Sequence, residues 1–83
     1  MSAHEWQMLY SCVERIRNER ASRVLGVLHA WGFRVQISND PQKSRLPWFA
    51  QIRWGVERQV VAYGRNESRA LEAALRKAER GAR

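Results

Sequence analysis

Tyr63-Gly64-Arg65-Asn66-Glu67-Ser68-Arg69-Ala70-Leu71-Glu72-Ala73-Ala74-Leu75-Arg76-Lys77-Ala78-Glu79-Arg80 reads as the end of a strand, a glycine turn and a capped amphipathic helix. Asn66 is a residue type favoured at a helix N-cap. Glu67 puts an anion where the helix dipole is positive, and Arg76, Lys77 and Arg80 put cations where it is negative. The apolar stripe is Ala70, Leu71, Ala74, Leu75 and Ala78. A stripe made mostly of alanine lets a helix lie close against a sheet and cover it with little bulk.

Upstream of that helix the pattern changes to a period of two. Phe33, Val35 and Ile37 alternate with Arg34, Gln36 and Ser38, which predicts a first strand. A second strand follows, in which Trp48, Ala50, Ile52 and Trp54 alternate with Phe49, Gln51 and Arg53. The turn-rich, basic stretch Ser38 to Pro47 joins the two. Gly55-Val56-Glu57-Arg58 is a short hairpin connection, and Gln59 to Tyr63 forms the third strand. The alternation gives strands one and two one apolar and one polar face, so both helices must cover the same face.

Before the strands, Trp6, Leu9, Val13, Ile16, Val24, Val27, Leu28 and Trp31 recur at helical spacing from Glu5 to Trp31, with a gap at Arg20. Unbroken, this helix would be about 40 Å long, so the pattern predicts either a break near Asn18 or a projection beyond the core. A projecting segment would expose Trp6, Leu9 and Val13 as a dimer or partner contact; the bland alternative is a short helix folded back on the domain. Ser22, Gly26 and Ala30 form a stripe of small side chains. Because glycine is costly inside a helix, Gly26 is expected to pack against the alanine-rich last helix. Gly32 ends the helix where a left-handed residue is usual.

The expected fold is α+β, in the order α-β-β-β-α, a three-stranded antiparallel sheet with two helices packed on one face. At 83 residues the chain is one domain with a modest core. Residues 1–20 form an N-terminal helical extension and 21–81 the α-β-β-β-α core. No apolar run is long enough to span a bilayer and no signal-peptide pattern opens the chain. The one cysteine, Cys12, cannot form an internal disulfide, which agrees with a reducing compartment. These features point to a cytoplasmic protein with no membrane partner.

The element order and Gly64, Asn66, Ala70, Ala73 and Ala74 resemble the double-stranded-RNA-binding domain over roughly Ser22 to Arg80. The resemblance implies duplex recognition by shape, with the loop between the first two strands in the minor groove and cations after the cap on the phosphates. Glu67 and Ser68 stand where that family carries a lysine pair, and the loop from Asn39 to Pro47 has Lys43 and Arg45 but no histidine. A second set of motifs, Trp31-Gly32-Phe33, Trp48-Phe49-Ala50 and Leu71 to Leu75, resembles small phage and prophage α-β-α sandwich domains. That likeness implies an accessory protein of a mobile element that binds a host complex, as anti-defence and anti-CRISPR inhibitors do.

Charge sets the leading partner. Fifteen Lys and Arg against eight Asp and Glu give a formal net charge of +7, and the sequence pI is about 11.1. Such a balance points to nucleic acid or a ribonucleoprotein, or else to an acidic protein surface. Arginine codons in GC-rich genomes are a competing cause. All the cations but Lys43 and Lys77 are arginines, whose planar fork suits phosphate. The candidate phosphate contacts are Lys43, Arg45, Arg65, Arg69, Arg76 and Lys77. On the polar sheet face Arg34 and Arg53 flank Phe49, an aromatic placed to stack bases or to be covered by a second copy. Arg15, Arg17, Arg20 and Arg23 are interleaved with Glu14 and Glu19 and read as a solvated face.

Catalysis is not expected. The one aspartate, Asp40, precedes a proline in a loop, and no His or Cys lies at metal-ligand spacing from another ligand. His29, His4 and Cys12 read as packed, terminal and buried groups. No glycine-rich phosphate loop precedes a helix. The expected molecule needs no cofactor and binds without chemistry of its own.

Overall fold

In the computed structural model, which describes residues 3–42 and 45–82, six elements follow one another. They are α1 (Ala3–Arg15), α2 (Ala21–Ala30), β1 (Arg34–Asn39), β2 (Trp48–Trp54), β3 (Arg58–Gly64) and α3 (Glu67–Ala82). The strands form an antiparallel sheet in the order β1-β2-β3. The fold is α+β, with α2 and α3 on one face of the sheet.

The last helix starts as its sequence dictates. The Arg69 amide donates to Asn66 Oδ1 at 2.9 Å, and the Ala70 amide bonds the Asn66 carbonyl. Ala70, Leu71, Ala74, Leu75 and Ala78 are all fully buried against β2 and β3. Gly64 allows this closeness. A Cβ there would lie 2.7 Å from Ala70 Cα, so the end of β3 and the first turn of α3 touch backbone to backbone. At the far edge of β3, Lys77 Nζ donates to the Val61 carbonyl at 2.8 Å. One carbonyl of an edge strand, a template for unwanted pairing, is thereby covered.

The N-terminal helical pattern breaks into two helices. After Arg15 the chain turns, with the Asn18 and Glu19 amides bonded to the Arg15 carbonyl, and α2 starts after Arg20, which contributes no side-chain cap. The break is sharp enough to fold α1 back along α3. This corrects the expected extension over residues 1–20: Leu9 is 0% exposed and Val13 is buried, together with Met8, Cys12 and Ile16. Leu9 and Val13 therefore face this chain's own core, not a dimer partner. Trp6 is half-buried, and its indole N–H donates to Glu79 Oε1 on α3 at 3.0 Å. Period alone shows that such residues are apolar; it does not show what covers them.

The small-residue stripe is also corrected. Ser22, Gly26 and Ala30 are exposed, and a Cβ on Gly26 would meet nothing within 4 Å. Gly26 makes no close helix contact. The other glycines punctuate turns: Gly32 follows α2 with φ +86°, and Gly55 opens the β2–β3 turn with φ +59°. No helix among the described residues is long and apolar enough to cross a membrane.

Candidate functional site

The sheet has a face that no helix covers. Its composition follows from register, because side chains alternate and paired residues share a face. Arg34 pairs with Arg53, Gln36 with Gln51 and Ser38 with Phe49. Across the next ladder Arg53 pairs with Gln59, Gln51 with Val61 and Phe49 with Tyr63. The open face is thus three rows: Arg34, Arg53 and Gln59 at the hairpin end; Gln36, Gln51 and Val61 in the middle; Ser38, Phe49 and Tyr63 at the other end.

The rows differ in chemistry. Phe49 and Tyr63 meet edge to face with ring centroids 5.6 Å apart, the arrangement that aromatic quadrupoles favour. Gln51 Nε2 donates to Gln59 Oε1 at 3.1 Å, which leaves amide groups in the middle of the face. The guanidinium row lies at the hairpin end, where Arg34 and Arg53 are exposed. Among the described residues no aspartate or glutamate stands on this face. The carboxylates with described side chains lie on helices, in turns or in the β1–β2 loop.

The helical side is electrostatically different. Glu72, with a side chain only 15% exposed, accepts from Arg76 Nε and Nη2 at 3.2 and 3.1 Å. It also lies 3.7 Å from Arg69 Nη1 and 3.8 Å from Arg17 Nε. Arg15 pairs with Glu19. One buried-edge carboxylate thus holds three guanidiniums and ties the α1–α2 turn to α3.

The structure sorts the sequence-derived candidates accordingly. Arg34, Phe49 and Arg53 come together on the open face. Arg69 and Arg76 are engaged by Glu72, and Lys77 by the β3 edge. Arg45 and Arg65 are exposed, and the strand order puts both at the Phe49–Tyr63 end of the sheet. Lys43 lies outside the described residues. Trp48 and Trp54 belong to the core side: Trp48 packs on the core and Trp54 is 7% exposed against Phe33, with centroids 5.9 Å apart. Tyr63 and Gln59 were not singled out from sequence. Val60, Val61 and Ala62 are apolar in succession, so β3 shows no alternation from which to read its faces.

Cys12 is fully buried, with its thiol 3.5 Å from Met8 Sδ. Burial pushes the thiol's pKa up, opposed by the nearby Arg15 charge and reinforced by Glu19. That environment is the reverse of one that activates a nucleophile. Among the described residues no cluster of three or more His, Cys, Asp or Glu is placed to hold a metal ion.

Fold and site together define a two-layer α+β domain with a face that carries aromatics and arginines and, among the described residues, no carboxylate. No protein-family model, no curated protein and no solved structure matches the chain.

Proposed function

We propose that this protein is a binding module that takes single-stranded nucleic acid on the open face of its sheet. The observation that carries the reading is the make-up of that face: a Phe49–Tyr63 pair and the Arg34–Arg53 pair in cross-strand register, with no carboxylate among them. Stacking on aromatics is tolerant of sequence because every base has a π-face, and arginines neutralise the backbone. Gln36, Gln51 and Gln59 supply donors and acceptors between the two. Arg45 and Arg65, at the aromatic end, extend the cationic track beyond the sheet.

The open face favours single strands over duplex. A sheet face presents rings that the stacked bases of a duplex cannot lie against, whereas unstacked bases lie down on them. The duplex-binding arrangement implied by the sequence resemblance relies on cations at the start of the last helix. Here Glu67 and Glu72 accompany Arg69, and Glu72 pairs with it.

The test is equilibrium binding of labelled single-stranded RNA, single-stranded DNA and duplexes across a salt series. The expected result is preference for single strands, with affinity falling steeply as salt rises. Phe49→Ala or Tyr63→Ala should each weaken binding, by about 1–3 kcal/mol for each base that no longer stacks. Absence of binding to every nucleic acid at low salt sinks the proposal and turns attention to an acidic protein, the partner a mobile-element inhibitor would need.

A further inference from the structure

At the hairpin end of the sheet, the turn after α2 at Gly32 and the β2–β3 turn leave a cavity of about 410 Å³. Arg34, Arg53 and Arg58, one from each strand, line it, and Glu57 is the one carboxylate on its wall. Among the described residues none of these three arginines makes an ion pair or a side-chain hydrogen bond, unlike Arg15, Arg17, Arg69 and Arg76. Exposed guanidiniums without carboxylate partners around one cavity make it a place that attracts an anion.

A second observation points the same way. Trp54 forms part of the cavity wall and is 7% exposed. Its indole N–H is buried without an acceptor among the described residues. Buried donors are nearly always paired, so an unpaired one among the described residues leaves this end of the sheet polar and unsatisfied.

We propose that the cavity is a pocket for a terminal phosphate: it receives the phosphomonoester at the end of a nucleic-acid strand lying on the open face. The ligand's charge argues for a strand end. An internal phosphodiester carries one negative charge, whereas a phosphomonoester carries about −1.5 to −2 at neutral pH and has three strong acceptor oxygens. Three guanidiniums against one carboxylate match the larger charge, and the arginine fork bonds phosphate oxygens in pairs. The inference rests on the single-strand reading of the sheet, because Arg34 and Arg53 belong to both surfaces. Arg58 separates them. It pairs with Trp54, so it shares the helix side of the sheet and serves the cavity alone.

The experiment measures binding of the intact protein to one short single strand made with a 5′ phosphate, a 3′ phosphate or hydroxyls at both ends. One phosphorylated form should bind about tenfold or more tightly than the hydroxyl form, the gain given by charge-assisted hydrogen bonds. Arg58→Gln should remove that gain and leave the hydroxyl-ended strand bound as before. The gain should also shrink below about pH 6, where the monoester loses its second charge. Added inorganic phosphate should compete away the gain and no more. Equal affinity for all three strands overturns the pocket while the sheet reading stands; binding of none overturns both. Inorganic phosphate bound as tightly as the phosphorylated strand would make this a free-oxyanion site and overturn the proposal.

Discussion

Two glycines in this chain have opposite physical roles, and substitution separates them. Gly26 is an exposed helix residue with open space where a Cβ would go, so it carries the entropy cost of glycine with no packing return. Gly26→Ala should stabilise the protein by about 0.5–1 kcal/mol, read as a rise in Tm of about 2–8 °C. Gly64→Ala should do the reverse, because its Cβ would drive into the α3 backbone at Ala70; overpacking of this kind costs roughly 1–3 kcal/mol. Both are checked by thermal unfolding followed by circular dichroism. The buried thiol of Cys12 gives a pH prediction. Its native pKa is raised by burial, so the native state keeps a proton that the unfolded chain gives up above about pH 8.5. Stability from this group is therefore complete below that pH and lost as pH rises toward the native value. Unfolding midpoints measured across the alkaline range should fall, and fall less in Cys12→Ala.

At the scale of elements, the docking of α1 on α3 is the contact that makes the N-terminal segment part of the core. Trp6 stacks on Tyr10 at 5.7 Å and donates to Glu79, a residue only 7% exposed. Trp6→Phe keeps the apolar ring and deletes one donor to a buried carboxylate, which should cost about 1–3 kcal/mol, the range for a hydrogen bond to a charged group. Glu79→Gln retains an acceptor oxygen and should cost less. Urea midpoints at unchanged m-value will show it; equal midpoints for Trp6→Phe and the parent would mean that the bond contributes nothing. How far each element was legible follows from how local its causes are. The start of α3 was readable because Asn66 bonds the amide three residues on. The strand β2 was readable because Trp48, Ala50, Ile52 and Trp54 alternate with Phe49, Gln51 and Arg53, two of which are polar. The break between α1 and α2 was visible only as a gap at Arg20 and a length too great for the domain. The partner of α1 was not visible at all.

At the scale of the whole molecule, the net charge of +7 is not spread evenly. On the helical side Arg15 is held by Glu19, and Arg17, Arg69 and Arg76 by Glu72, whereas Arg34, Arg53 and Arg58 at the hairpin end stand without ion pairs among the described residues. This sorting yields a paired prediction for single-strand binding. Arg53→Gln should weaken it and lower the slope of log affinity against log salt by about 0.7, the value for one fewer phosphate neutralised on a single strand. Arg69→Gln should leave affinity and slope nearly unchanged. Binding isotherms of the two variants in the same salt series decide it; a weakening by Arg69→Gln equal to that by Arg53→Gln would place the binding surface at the start of α3, as the duplex-binding resemblance implies.

The sequence by itself determined the kinds of element, their order, the cap of the last helix, the alanine stripe and the excess of arginine. Apart from the arginine excess, which is composition, those properties arise from hydrogen bonds and periodicities that span a few residues. Only the tertiary structure decided that Arg17, Arg69 and Arg76 meet on Glu72, that Tyr63 joins Phe49 across a ladder, and that Leu9 and Val13 are core. Those outcomes depend on contacts between residues far apart in the chain, such as Trp6 and Glu79, separated by 73 positions. Strand register fixes the open face in the same way: moving one strand by a single residue would exchange its two faces and disperse the aromatic and arginine rows.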